Sequence, residues 1–159
     1  MSNEPLLNLI SRAEALLARL ESVLPMPLAE PDWSASIAFR YRRRGASGAI
    51  TPVRHVAGIR LDALVEVEPQ KERLLRNTMQ FVEGVGANNV LLTGARGTGK
   101  SSLIKACLNE FADRGLRLIE VDKADLVDLP DIVDLVAERP ERFIVFCDDL
   151  SFDEGEPGY

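Results

Sequence analysis

The chain has 159 residues, 46% apolar and 28% charged, which is enough for one domain with a packed core and argues against wholesale disorder. A net charge of −6 excludes nucleic-acid binding driven by overall charge and leaves that role only to a local basic patch. The start has no positive region ahead of an apolar core, and no apolar run approaches the ~18 residues of a membrane span, so a cytoplasmic protein without membrane contact is expected.

Residues 5–24 place Leu6, Leu9, Ile10, Ala13, Leu16, Leu17, Leu20 and Leu24 at steps of three and four, with Arg12, Glu14, Arg19 and Glu21 off that stripe. The spacing predicts an amphipathic helix. Packing on its own domain is the expected use of the stripe, and oligomerisation is the alternative. Pro25, Pro27 and Pro31 then break any helix. Trp33, in this proline-rich linker, is expected to pack on the domain.

Residues 36–41 read as a short strand. It runs into Arg40, Tyr41, Arg42, Arg43 and Arg44, the one dense basic run, followed by a flexible stretch from Gly45 to Gly48. A solvated edge strand or loop accounts for the run. A contact with nucleic acid or an acidic partner is the sharper reading.

From residue 59 the pattern becomes regular. Residues 69–82 have helical spacing, with Pro69 in the first turn and Leu74, Leu75, Met79 and Val82 on one side. Residues 89–93 (NVLLT) read as a short buried strand. Residues 100–113 predict a helix ended by Gly115, and residues 116–121 a second strand. A helix follows over 131–138, between Pro130 and Pro140, and a third strand over 143–147. Strands alternating with helices imply parallel crossovers and an α/β sheet.

Gly94, Ala95, Arg96, Gly97, Thr98, Gly99, Lys100 and Ser101 fit the pattern G-x-x-x-x-G-K-[ST], with Ser102 beside them. A polyphosphate is too highly charged to be held by a cage of bulky side chains. Glycines let the backbone curl so that successive N–H groups point inward. The following helix aims its positive end at the same place. Lys100 then supplies a cation to the β and γ phosphates, and Ser101 a hydroxyl to magnesium, which takes oxygen ligands. Four fixed positions match by chance in on the order of one chain in a few hundred. The flanking strand and helix are the arrangement that confirms the motif.

Phe143, Ile144, Val145, Phe146 and Cys147 form an apolar run that ends in Asp148 and Asp149. A carboxylate at that end of a strand, beside such a loop, can hold magnesium, and Asp148 is assigned to it. Asp149 is placed to orient or deprotonate an attacking water. The run Asp122, Lys123, Ala124, Asp125 faintly suggests a guanine-reading element, but it lacks the asparagine and precedes the aspartate strand, so adenine is favoured over guanine. His55 is the only histidine, and Cys107 and Cys147 lie in apolar runs as reduced thiols, so a zinc site is not expected.

These stretches, LDALVEVEPQKERLLRNTMQFVEGVGANNVLLTGARGTGKSSLIKA, GLRLIEVDKADL and RFIVFCDDLSF, resemble the AAA+ ATPases, and most closely a bacterial family of predicted ATPases grouped under a domain of unknown function. The resemblance covers residues 59–152 strongly and the amphipathic start more loosely. It implies a P-loop NTPase of AAA+ type, with Gly94 to Ser101 as Walker A and residues 143–149 as Walker B. It makes Ile59, Leu64 and Val65 candidate adenine contacts. It divides the chain into a helix and proline/arginine-rich segment at 1–58 and the N-terminal part of an ATP-binding domain at 59–159. Many relatives carry glutamate where this chain has Asp149. The shorter side chain sets the carboxylate back by one methylene, and a misplacement of ~1 Å can cost ~100-fold in rate.

The AAA+ pattern also continues, beyond Tyr159, with a sensor strand, an arginine finger, another strand and a helical lid. The expectation is an N-terminal part of a longer protein. The missing sensor strand would lie between residues 89–93 and the Asp148 strand, leaving unpaired backbone and exposed apolar surface. The function expected is that of a magnesium-dependent ATPase that is a homo-oligomer when intact. The alternatives are a non-hydrolysing ATP-dependent switch and a nucleic-acid-associated loader that uses Arg40 to Arg44.

Overall fold

A computed structural model describes residues 4–21, 27–45, 47–64 and 67–150. Val65 and the acidic end at 153–159 lie outside them. Helix α1 spans Glu4–Glu21, as the apolar spacing implies. Its stripe does not pack on the domain: Leu6, Leu9, Ile10, Leu16, Leu17 and Leu20 are all 46–65% exposed. Among the described residues, no helix is long and apolar enough to cross a membrane.

Four strands, β1 (Ala38–Arg44), β2 (Ser47–Pro52), β3 (Leu116–Glu120) and β4 (Arg142–Phe146), form one sheet in the order β2-β1-β3-β4. β1, β3 and β4 are parallel, and β2 runs antiparallel to β1 as a hairpin. Of the arginine run, only Arg40 lies where β1 is flanked on both sides; residues 42–44 pair with β2 alone and are exposed, a solvated edge as expected. β1 is internal over residues 38–40, and β2, whose first two residues fall in the stretch that reads from sequence as flexible, forms the edge. Gly48 sits where a Cβ would run into the Tyr41 ring, so a residue without a side chain is required there.

Helices α2 (Glu68–Val82) and α3 (Lys100–Phe111) cover one face of the sheet, and α4 (Leu129–Val136) covers the other. Alternation along the strands explains this. Ala38, Leu116 and Leu118 point toward Leu74, Leu103, Ile104, Cys107, Leu108 and Phe111. Phe39, Ile119 and Val121 point toward Trp33 and Ile132. The result is an α/β fold with a mostly parallel sheet and helices on both faces. Trp33 packs on the domain as expected, edge-on to Phe39 and Phe143, with its indole N–H donated to Glu30 Oε1 at 2.9 Å. Because β1 pairs with β3, residues 38–52 share one sheet with the elements after residue 59.

Residues 89–93 are a correction to the expected buried strand. They pair with no strand among the described residues, and Val90 and Leu91 are 47% and 75% exposed. Only Leu92 turns inward, against the α2–α3 core. A strand is defined by its neighbours, and local β propensity does not supply one.

Tyr41 is buried and its O–H donates to Asp128 Oδ2 at 2.7 Å. Burial first, then that hydrogen bond, push the phenol above its ordinary pKa. A group whose folded pKa is raised contributes stability in full below its unfolded value, ~10 for tyrosine, and loses it as pH climbs above that. Tyr41→Phe is expected to cost about 1 kcal/mol near neutrality. It should also shrink the drop in urea midpoint between about pH 8 and about pH 11. An equal drop in both proteins would exclude Tyr41 as its source.

Candidate functional site

The glycine-rich loop lies between residues 89–93, which form no strand, and α3. Gly94, Gly97 and Gly99 take φ values of +141°, +84° and +84°. Side chains rarely adopt these, so backbone conformation alone demands glycine at all three. At Gly97 and Gly99 there is open space where a Cβ would stand. α3 begins at Lys100, and no side chain caps it. Its first amides are left to point out of the positive end of the helix, an arrangement suited to an anion.

Lys100 is half-buried, and its Nζ donates to the carbonyls of Gly94 and Ala95, both at 2.8 Å. Thr98 Oγ1 donates to the Ala95 carbonyl at 2.8 Å. The loop is thus closed on itself by its own lysine and threonine. Ser101 Oγ donates to Asp148 Oδ2 at 2.6 Å. Asp148 lies just past the C-terminal end of β4, where ligands bind in open α/β sheets. The Asp149 amide donates to the other carboxylate oxygen, Oδ1, at 3.1 Å. Asp149 has φ of +56°, and its carboxylate is exposed without a partner among the described residues. Arg96 and Thr98 are exposed, and Ser102 is half-buried.

Among the described residues, no three His, Cys, Asp or Glu side chains cluster as a metal site. The hydroxyl of Ser101 and the carboxylate of Asp148 fit magnesium, which is held by one or two protein oxygens together with phosphates and waters. Cys147 is half-buried, and burial, reinforced by Asp122 and Asp148, raises its thiol pKa. Cys107 is buried, and burial raises its pKa too. Both are free thiols.

Several positioning groups have no sequence signal. Asn109 Nδ2 donates to the carbonyls of Ala57 and Ile59, both at 2.9 Å. Lys71 Nζ donates to the carbonyls of Leu61 and Leu64, both at 3.2 Å. Together they fasten residues 57–64 to α2 and α3. The Asn77 side-chain amide makes two hydrogen bonds to the backbone of Asn88, at 2.8 and 2.9 Å. That clamp fixes the chain just before residues 89–93. Asp125 has a structural partner, accepting from the Arg43 amide at 3.2 Å.

A family model described as a protein of unknown function, DUF815, matches residues 34–159. The chain belongs to the DUF815 family. No curated protein and no solved structure matches it. The DUF815 match takes in the whole sheet, the glycine loop and Asp148, and leaves α1 outside. The arginine-bearing strand β1 is therefore part of the DUF815 unit and not an appendage to it.

Proposed function

We propose that this chain binds ATP with magnesium in the loop from Gly94 to Ser101, as a P-loop ATPase of AAA+ type. The observation that carries the reading is the 2.6 Å hydrogen bond between Ser101 Oγ and Asp148 Oδ2. Ser101 from the glycine motif and Asp148 from the end of the apolar strand, 47 positions apart, are assigned to the same ion, and they stand in contact. Ser101 and Asp148 would hold magnesium, which would supply positive charge to the β and γ phosphates. The loop amides and the α3 N-terminus hold the phosphates, and Lys100 exchanges its two loop carbonyls for phosphate oxygens. Ile59 and Leu64, on the fastened 57–64 segment, contact the adenine. Asp149 orients the attacking water. An arginine from a neighbouring copy, in a homo-oligomer, completes the site; this step rests on the AAA+ resemblance alone.

The test is titration with a fluorescent ATP analogue, with and without magnesium. Asp148→Asn is expected to remove about tenfold or more of magnesium's effect on affinity, the worth of a hydrogen bond to a charged group at ~1.5–3 kcal/mol. The same magnesium dependence in both proteins would count against the assignment.

A second reading, a switch that binds ATP without hydrolysing it, is favoured by Asp149, whose short carboxylate has no partner among the described residues to aim it. Phosphate release under saturating ATP separates the two readings.

A further inference from the structure

We propose that the open face of the β1–β2 ribbon, carrying Arg40, Arg42 and Arg44 with Arg54 at its base, docks the phosphate backbone of double-stranded nucleic acid. Alternation along β1 sorts its side chains. Phe39 and Tyr41 are buried on one face, and Arg43 joins them there, pairing with Asp128 at 3.3 Å. Arg40, Arg42 and Arg44 stand on the other. Their cross-strand partners are Thr51, Ala49 and Ser47, all small, so nothing overhangs the row. Side chains two apart on a strand are ~6.7 Å apart, so the row spans ~13 Å.

β1 pairs with β3 only from Ala38 to Arg40, so Arg42 and Arg44 lie on a ribbon that projects beyond the sheet. It projects at the C-terminal end of the parallel strands, the end that also carries Asp148. Arg40 is tethered to Glu120, with its Nη2 2.7 Å from Oε2. Arg42, Arg44 and Arg54 are exposed and have no partner among the described residues. The four arginines line one concavity of about 470 Å³ with Ala49, Thr51, Pro52 and Val53.

The chemistry selects the partner. Guanidinium groups bind phosphate oxygens in pairs, and every cation here is arginine. A protein partner draws its affinity from apolar and aromatic anchors, and between Arg40 and Arg44 this face offers none. Binding of single strands relies on stacked aromatics. Trp33, Phe39 and Tyr41 are all turned to the buried face. What remains is sequence-independent contact with the backbone of a duplex.

The experiment is fluorescence anisotropy on a labelled duplex of ~20 base pairs across a salt series, with the single strand and poly-glutamate as competitors. Three neutralised phosphates give a slope of log K against log salt of about −2.7, a loss of about 40-fold between 50 and 200 mM. The double variant Arg42→Ala/Arg44→Ala should reduce the slope to about −0.9 and weaken binding at low salt, with its thermal midpoint unchanged. Arg42→Lys/Arg44→Lys should retain most of the slope, since the charge remains. Absence of duplex binding at low salt overturns the proposal, as does a double-alanine variant with wild-type slope and affinity. Poly-glutamate competing as well as duplex would reassign the face to an acidic protein. Tighter binding to the single strand would overturn the duplex reading.

Discussion

Lys100→Ala is expected to weaken binding of an ATP analogue by on the order of 100-fold while leaving the fold intact. The ammonium group of Lys100, at the start of α3, is bonded among the described residues only to the carbonyls of Gly94 and Ala95. Exchanging these for phosphate oxygens replaces neutral acceptors with charged ones, and each hydrogen bond between charged groups is worth ~1.5–3 kcal/mol. The loop amides and the helix end survive the substitution, so binding is weakened and not abolished. Lys100→Arg is expected to fail as well, because a planar fork does not fit a site shaped for a compact charge. Unchanged affinity in a folded Lys100→Ala protein would remove the loop from the mechanism.

The loop was legible because everything it needs is local. Its glycines, its lysine and its serine occupy eight consecutive positions, and their conformations follow from backbone sterics. α2, α3 and α4 were legible for the same kind of reason, since periodicity, Pro69, Pro130 and Gly115 mark them within a few residues. β3 and β4 are short apolar runs bounded by such marks. What escaped was non-local. Residues 47–52 (SGAITP) have glycine, serine and proline and a single large apolar side chain, and they become a strand only because β1 lies beside them. Ile50 is buried opposite Tyr41, and Gly48 makes room for the tyrosine ring. Residues 89–93 fail in the opposite sense. Their composition is that of a strand, yet without a neighbouring backbone they remain unpaired. The same limit hid Asn77, Lys71 and Asn109, whose targets are main-chain carbonyls and amides that no side-chain pattern encodes.

Phe39→Ala is expected to destabilise the folded chain by about 3–5 kcal/mol, the range for emptying a large aromatic site. Phe39 is 0% exposed and lies between Trp33, whose ring centroid is 4.7 Å away, and the Ile119, Val121 and Ile132 cluster. The edge-to-face contact adds ~0.5–1.5 kcal/mol to what burial alone supplies. Against a total stability of ~5–15 kcal/mol, that loss lowers the thermal midpoint by roughly 10 °C or more. Leu91→Ala, at a side chain 75% exposed, is expected to change stability by less than ~0.5 kcal/mol. The contrast decides where the domain begins. If residues 38–52 were an arm attached to a core that starts near residue 59, removing the Phe39 ring would leave that core untouched and the two variants would behave alike. A large loss at Phe39 means that the first half of β1 is an integral part of the sheet, from which the Arg42 and Arg44 ribbon projects at the Asp148 end.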